Sequence, residues 1–268
     1  MRSTTVRTIR ALPTLLRIGV AETVAYRAEF LVWILTTTQP LIMMSLWTSV
    51  ARDQSFHGFT SAAFVAYYLS NLIVRQLTGN WVAWQMMDEI RMGTMAMRLL
   101  RPIHPFFAYV SSHVAAIPFR TLVALPLAVI LLVTSGADNL SHDPVQLAML
   151  PISIGLAWLL TFAILFAIGS LAFFMTQTMA LANLYFGLYA LLSGYLLPLA
   201  LMPRLAAVAA WLPFRYTLDV PVLIMTRTMS GEELAGLLGR QAAWVAITLF
   251  LALQIWHAGV RRFESVGG

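Results

Sequence analysis

Two arginines pose the sharpest chemical question in this sequence. Arg75 and Arg120 stand inside long apolar runs, where a cation needs a carbonyl, a carboxylate, water or an anionic ligand beside it. Tyr67, Asn71, Asn183, Tyr185 and Tyr189 lie in similar runs. Such side chains either face a path for an amphipathic molecule or tie helices together and anchor them at interfaces. Two readings stand for each arginine. Arg75 meets an anionic group or snorkels to the inner interface; Arg120 meets such a group or pairs structurally.

These residues do not assemble into an enzyme. There is no cysteine, hence no thiol nucleophile and no Cys-ligated metal. The histidines His57, His104, His113, His142 and His257 show no zinc-ligand spacing such as H-E-x-x-H. Glu232-Glu233 faintly resembles the paired glutamates of intramembrane proteases, but no intramembrane histidine accompanies it. No catalytic residue and no metal ligand is assigned. All 17 basic residues other than histidine are arginine, so a Walker A loop, which needs a lysine, cannot be built from this chain.

The elements that must position these residues follow from composition. Of 268 residues, 60% are hydrophobic and 10% charged, with a mean hydropathy of +0.79. Soluble domains carry ~25% charged residues, and a soluble fold this size cannot hide that much apolar surface. An all-α membrane protein is expected, as one domain over residues 1–268. Runs near the ~20 residues a span requires cover about 30–50, 59–84, 106–133, 145–174 and 179–201. A shorter one covers 242–256 and is extendable back through 234–238, making about six spans. Between the last two, residues 202–240 are apolar but broken by Pro203, Pro213 and Pro221. That predicts short helices that dip partway in and return.

Basic residues set the orientation. The net charge of +6 sits between apolar runs, as topology signals do, not on a soluble face that would bind nucleic acid. Arg2, Arg7, Arg10, Arg17, Arg91, Arg98, Arg101, Arg261 and Arg262 favour both termini inside. Residues 1–25 show no clean secretory signal peptide, so the first apolar run is expected to stay in the mature protein. On a helical period Ile9, Leu12, Leu16 and Val20 oppose Arg7, Arg10 and Arg17. That pattern fits an interfacial amphipathic helix on the cytoplasmic leaflet, with a flexible basic tail as the alternative. The inner loop 85–105 holds Asp88, Glu89, Arg91, Met92, Arg98 and Arg101 at helical spacing, punctuated by Gly93, Pro102 and Pro105. It is either a docking knob for a cytoplasmic partner or a plain topogenic loop.

The order of these features resembles a permease of the ABC-2 type, the exporter class of ATP-binding cassette transporters, in its small variety without a large extracellular domain. Three places carry the likeness. One is the basic helix running into Tyr26-Arg27-Ala28-Glu29-Phe30. Another is Glu89-Ile90-Arg91-Met92-Gly93 followed by Leu99-Leu100-Arg101-Pro102. The third joins Ser193-Gly194-Tyr195-Leu196-Leu197-Pro198-Leu199, Met202-Pro203 and Leu212-Pro213-Phe214-Arg215-Tyr216. The resemblance implies six spans, a dimer of like or similar permeases, and separate cytoplasmic ATPase subunits that bring ATP and Mg; no cofactor is expected in this chain. It places ATPase docking at Arg17, Glu22, Arg27, Asp88, Glu89, Arg91, Met92, Arg98 and Arg101. The re-entrant segment is carried by Pro198, Pro203, Pro213, Phe214 and Arg215. The resemblance further implies a bacterial plasma membrane location and a cargo among lipids, hydrophobic drugs or glycan-like polymers. Rivals from other classes are a self-sufficient secondary transporter, which usually shows inverted repeats not visible here, and a membrane-embedded lipid-modifying enzyme, for which the acids are too scattered.

Overall fold

The computed structural model describes residues 11, 13–21, 38–122 and 124–266. Among them the chain is helical, without a strand beyond one isolated bridge between Phe56 and Phe59. A short helical run at 13–21 is α1. There follow α2 (Thr38–Val50), α3 (Ser61–Thr78), α4 (Val82–Arg91), α5 (Met95–Leu99), α6 (Pro105–Ala115), α7 (Ile117–Thr121) and α8 (Ala124–Ser135). Then come α9 (Pro144–Ser170), α10 (Thr178–Leu192), α11 (Pro203–Ala209), α12 (Pro213–Thr226) and α13 (Gly231–Val266).

Among the described residues, two helices are long and apolar enough to cross a membrane, Pro144–Phe173 and Gly231–Phe263. The first matches the expected fourth span, capped by Asp143, whose side chain accepts from the Val145 and Gln146 amides. The second is far longer than the apolar run 242–256, because Gly231–Arg240 continues the same helix. Two bent pairs raise the number to four: Pro105–Thr121 with Ala124–Ser135, at 56°, and Pro203–Ala209 with Pro213–Thr226, at 114°. The sharp second bend agrees with short helices in the broken stretch after residue 202. Other expected spans differ from their apolar runs. The run 59–84 is helical only to Thr78 and breaks at Gly79–Trp81 before α4. The run 179–201 is helical for 15 residues, about 22 Å, before the chain turns back. Residues 30–37 of the first run lie outside the described residues.

Helix α3 is the middle of the bundle. It packs on α2, α8, α12 and α9, and most of its residues are buried, polar ones included: Ser70, Asn71, Gln76 and Thr78. Shielding explains a composition too polar for a lipid-facing span. Polar side chains are tolerated at membrane depth when protein supplies their partners.

A second unit is built on two buried glutamines. Gln146 of α9 donates to the carbonyls of Ile224 (2.8 Å) and Arg227 (2.5 Å) and accepts from the Met229 amide (3.2 Å). Gln241 of α13 donates to the carbonyls of Ser153 (3.0 Å) and Tyr216 (2.9 Å) and accepts from the Ser153 hydroxyl (3.0 Å). Between apolar helices there is little hydrophobic drive to associate, and such bonds, with close packing, specify the arrangement. They hold α12 to α9 and α13 at both ends. Gln146→Leu and Gln241→Leu are each expected to cost roughly 1–3 kcal/mol by orphaning buried backbone groups. Because the sites are separate, the costs should add to within about 0.5 kcal/mol. Unfolding of the single and double variants, followed by tryptophan fluorescence in nanodiscs, measures both quantities.

Candidate functional site

Tyr67, Asn71 and Arg75 recur at four-residue intervals and so share one face of α3, with Tyr68 beside them. That face grips the turn that ends α10. After Leu192 the chain reverses at Gly194, whose φ of +82° is left-handed, a conformation only glycine visits without cost. The turn is closed by the Ser193 amide on the Tyr189 carbonyl (3.0 Å) and the Leu196 amide on the Ala190 carbonyl (3.2 Å). The Gly194 carbonyl accepts from the Tyr67 hydroxyl at 2.6 Å and from Asn71 Nδ2 at 3.3 Å. The Leu196 carbonyl accepts from the Tyr68 hydroxyl at 2.8 Å. Arg75 donates to the Tyr195 hydroxyl and lies 4.5 Å from the centre of that ring.

Helix α12 reaches the same point. Asp219 of α12 is 2% exposed and paired with Arg215 Nε at 2.9 Å. A Cβ placed on Gly194 would stand 2.5 Å from the Tyr67 hydroxyl and 3.3 Å from Asp219 Oδ1. Tyr185, Tyr189, Tyr195 and Phe214 complete an aromatic wall, with centroid separations of 6.1 Å (Tyr185–Tyr189), 5.6 Å (Tyr189–Tyr195) and 5.8 Å (Tyr185–Phe214). Asn71 Oδ1, the Tyr185 hydroxyl and Ser193 Oγ are buried there without a hydrogen-bond partner. The site offers hydrogen bonds, a cation and aromatic faces. Nothing in it pairs a nucleophile with a base, and among the described residues no three His, Asp or Glu side chains could share a metal ion.

Beyond the C-terminal end of α3 lies a hairpin of α4 and α5. Glu89 and Arg98 form a bidentate pair, Nε–Oε2 at 2.7 Å and Nη2–Oε1 at 2.6 Å. The Tyr109 hydroxyl of α6 donates to Glu89 Oε2 at 2.5 Å, and the Arg98 guanidinium lies 4.3 Å from the Tyr109 ring centre. This knot joins α4, α5 and α6. Outside it, Arg91 pairs with Asp88 at 3.0 Å in open solvent. Met92 (65%), Met97 (67%) and Leu100 (80%) are exposed, as is Arg101. His104 caps α6, its Nδ1 accepting from the Phe106 amide at 3.2 Å. Burial, and then the nearby His257, hold its pKa below the ordinary value, which keeps the ring neutral for that cap. Arg17 is exposed on α1, next to Gly19, which packs against Ser112 and Ala115 of α6: an added Cβ would stand 2.9 Å from Ala115 Cβ. Glu22 and Arg27 lie outside the described residues.

Residues 34–267 match the family model described as ABC-2 family transporter protein. The chain belongs to the ABC-2 family of transporter proteins. No curated protein and no solved structure matches it. It is a membrane permease component of a transporter, and its fold gives the expected site residues three different placements. Tyr67, Asn71, Arg75, Tyr185, Tyr189, Phe214 and Arg215 converge on the turn at Gly194. Pro198 is buried just after that turn, Pro213 opens α12 and Pro203 opens α11. Asn183 faces away, exposed on α10. Arg120 is also elsewhere: it donates to the carbonyls of Gln76 (2.9 Å), Leu77 (3.4 Å) and Gly79, at the end of α3.

Tyr109 and Asp219 carry site contacts that no motif in the sequence marks. Asp219 had a usable signal, being the only acid between Arg204 and Arg227. Tyr109 had none, since its partner Glu89 is 20 residues away with no shared period.

Gly194→Ala in the permease should destabilise by about 1–2 kcal/mol from the left-handed backbone alone, plus the clash with Tyr67. Pairing it with Tyr67→Phe, which removes the clashing hydroxyl, should make the double variant less unstable than the sum. A double-variant cycle of thermal midpoints checks this; strict additivity would separate Tyr67 from the turn.

Proposed function

We propose that the permease is one half of an ATP-driven exporter, a single domain of about six spans with both termini cytoplasmic in a bacterial plasma membrane. Two such chains, the same or similar, form the cargo path at their centre. Separate cytoplasmic subunits bind and hydrolyse ATP with Mg.

The observation that carries this reading is the α4–α5 hairpin. Its Glu89–Arg98–Tyr109 knot fixes a shape, and the shape then displays Met92, Met97 and Leu100 at an arginine-rich end. An apolar patch there is not explained by lipid, because Arg91, Arg98 and Arg101 mark the cytoplasmic side. Large exposed apolar side chains rimmed by charge fit a protein interface. The docking set therefore divides. Glu89 and Arg98 shape the hairpin from within. Asp88, Arg91, Met92 and Arg101 meet the ATPase subunit, with Arg17 presented nearby by α1.

Pairing with a second permease is supported by α10. Its exposed face carries Asn183 and Gly187 with Leu184, Leu188 and Leu191. An amide toward lipid is costly, and a glycine one turn on allows close helix approach.

Purification from native membranes into nanodiscs, with mass spectrometry and an ATPase assay, tests the reading. The wild-type chain should recover a Walker-motif subunit in stoichiometric amount. Met97→Glu with Leu100→Glu should weaken that recovery by about tenfold or more without lowering the thermal midpoint of the permease. Recovery of the chain alone, with transport driven by an ion gradient and indifferent to ATP depletion, would overturn it.

A further inference from the structure

The break at Gly79–Trp81 separates α3, which grips the Gly194 turn, from the hairpin. Thr78 is the last residue of α3, and Gly79 takes an extended conformation (φ −60°, ψ 146°) while its amide still bonds the Arg75 carbonyl at 2.9 Å. A helix end leaves carbonyls without intrahelical partners. Here a side chain from another element takes them up. Arg120 of α7, 5% exposed, spreads its Nε, Nη1 and Nη2 over the carbonyls of Gln76, Gly79 and Leu77. A planar guanidinium suits this three-way fork, and its charge suits a helix C-terminus.

The side chains around the clasp are in the opposite condition. Gln76 Nε2, both Asn80 side-chain atoms and His113 Nε2 are buried with no hydrogen-bond partner. His113 lies against Trp81, ring centres 4.4 Å apart, and its Nδ1 meets the Tyr109 carbonyl at 2.9 Å. Buried polar atoms are paired in more than about nine cases in ten. Unspent donors and acceptors gathered at one backbone break fit a joint with a second arrangement in which they are spent. Helix α6 touches the joint itself, through the His113 ring on Trp81, and the hairpin beyond it, through the Tyr109 hydroxyl on Glu89.

We infer that residues 79–81 are the hinge by which movement of the hairpin reaches α3, and that Arg120 is the positioning residue that holds this hinge in the conformation described. The inference rests on the hairpin being the docking site of an ATPase subunit. It also assigns Arg120 to the backbone of α3 and not to an anionic cargo.

The chain contains no cysteine, so a spin-label pair at Ala62→Cys and Ala96→Cys, both exposed, needs no background substitutions in the permease, which is reacted with label before assembly with the ATPase subunits. The distance is measured by pulsed electron resonance in the complete transporter in nanodiscs, without nucleotide and with ATP–Mg trapped by vanadate. In the wild-type background the distance should shift between the two states. Arg120→Lys, which keeps the charge and loses the fork, should populate the trapped distance without nucleotide about tenfold more than wild type, with the ATPase subunits still bound. An unchanged wild-type distance across the two states overturns the hinge, whatever the stability of any variant at residue 120. A lysine variant with wild-type distributions in both states overturns the role of Arg120. Failure of ATPase subunits to copurify with the wild-type chain would remove the docking reading itself, a result separable from either.

Discussion

Everything in this bundle is arranged around the burial of α3. A helix buried in a bundle must satisfy its polar groups within the protein, and α3 carries tyrosines, an asparagine, glutamine and an arginine along most of its length. Its neighbours are therefore constrained to bring partners. The turn at Gly194 supplies carbonyls to Tyr67, Tyr68 and Asn71, the Tyr195 hydroxyl meets Arg75, and Arg120 closes the far end. Remove the polar groups of α3 and neither the turn nor α7 has a defined register against it.

The described arginines within the bundle show how a low-dielectric interior spends charge. Arg98 is paired with a carboxylate and lies over an aromatic ring; Arg75 has a tyrosine hydroxyl and that tyrosine ring's face; Arg120 donates to backbone carbonyls. A carbonyl clasp needs no counter-ion and so commits nothing on the partner helix except its backbone. Asp219 is the converse, an acid held by Arg215 one turn away on the same helix, which frees the α3 face from carrying a countercharge to the re-entrant helix.

Two kinds of joint divide the molecule. Where α9, α12 and α13 meet, the bonds of Gln146 and Gln241 are complete, and the three helices behave as one block. Along α3 and α10 the bonding is incomplete, with Asn71, Ser193 and Tyr185 each holding a buried polar atom in reserve. Satisfied networks rigidify and unsatisfied ones do not. The permease distributes the two kinds of bonding to different seams.

Membrane class, helical content and the broken stretch after residue 202 were legible in the sequence, because each depends on hydropathy along the chain and on where proline interrupts it. The Gly194 and Leu212–Arg215 motifs were legible as well, through their order. The lengths of the helices were not: the break at Gly79–Trp81 lies inside an unbroken apolar run, and α13 runs through Gly231–Arg240, where composition suggests a loop. The roles of the charges were also hidden. Glu89 and Arg98 are docking residues by the resemblance, and that they are also each other's partners follows from the turn at Gly93, which brings α5 back against α4. For Arg120 an anionic ligand and a structural pairing were both open, and nothing in the sequence pointed to carbonyls about forty residues away. The sequence by itself determines which segments leave water, because transfer free energy accumulates residue by residue. Only the tertiary structure decides which polar group meets which, because a hydrogen bond depends on a distance between atoms that no sequence period encodes.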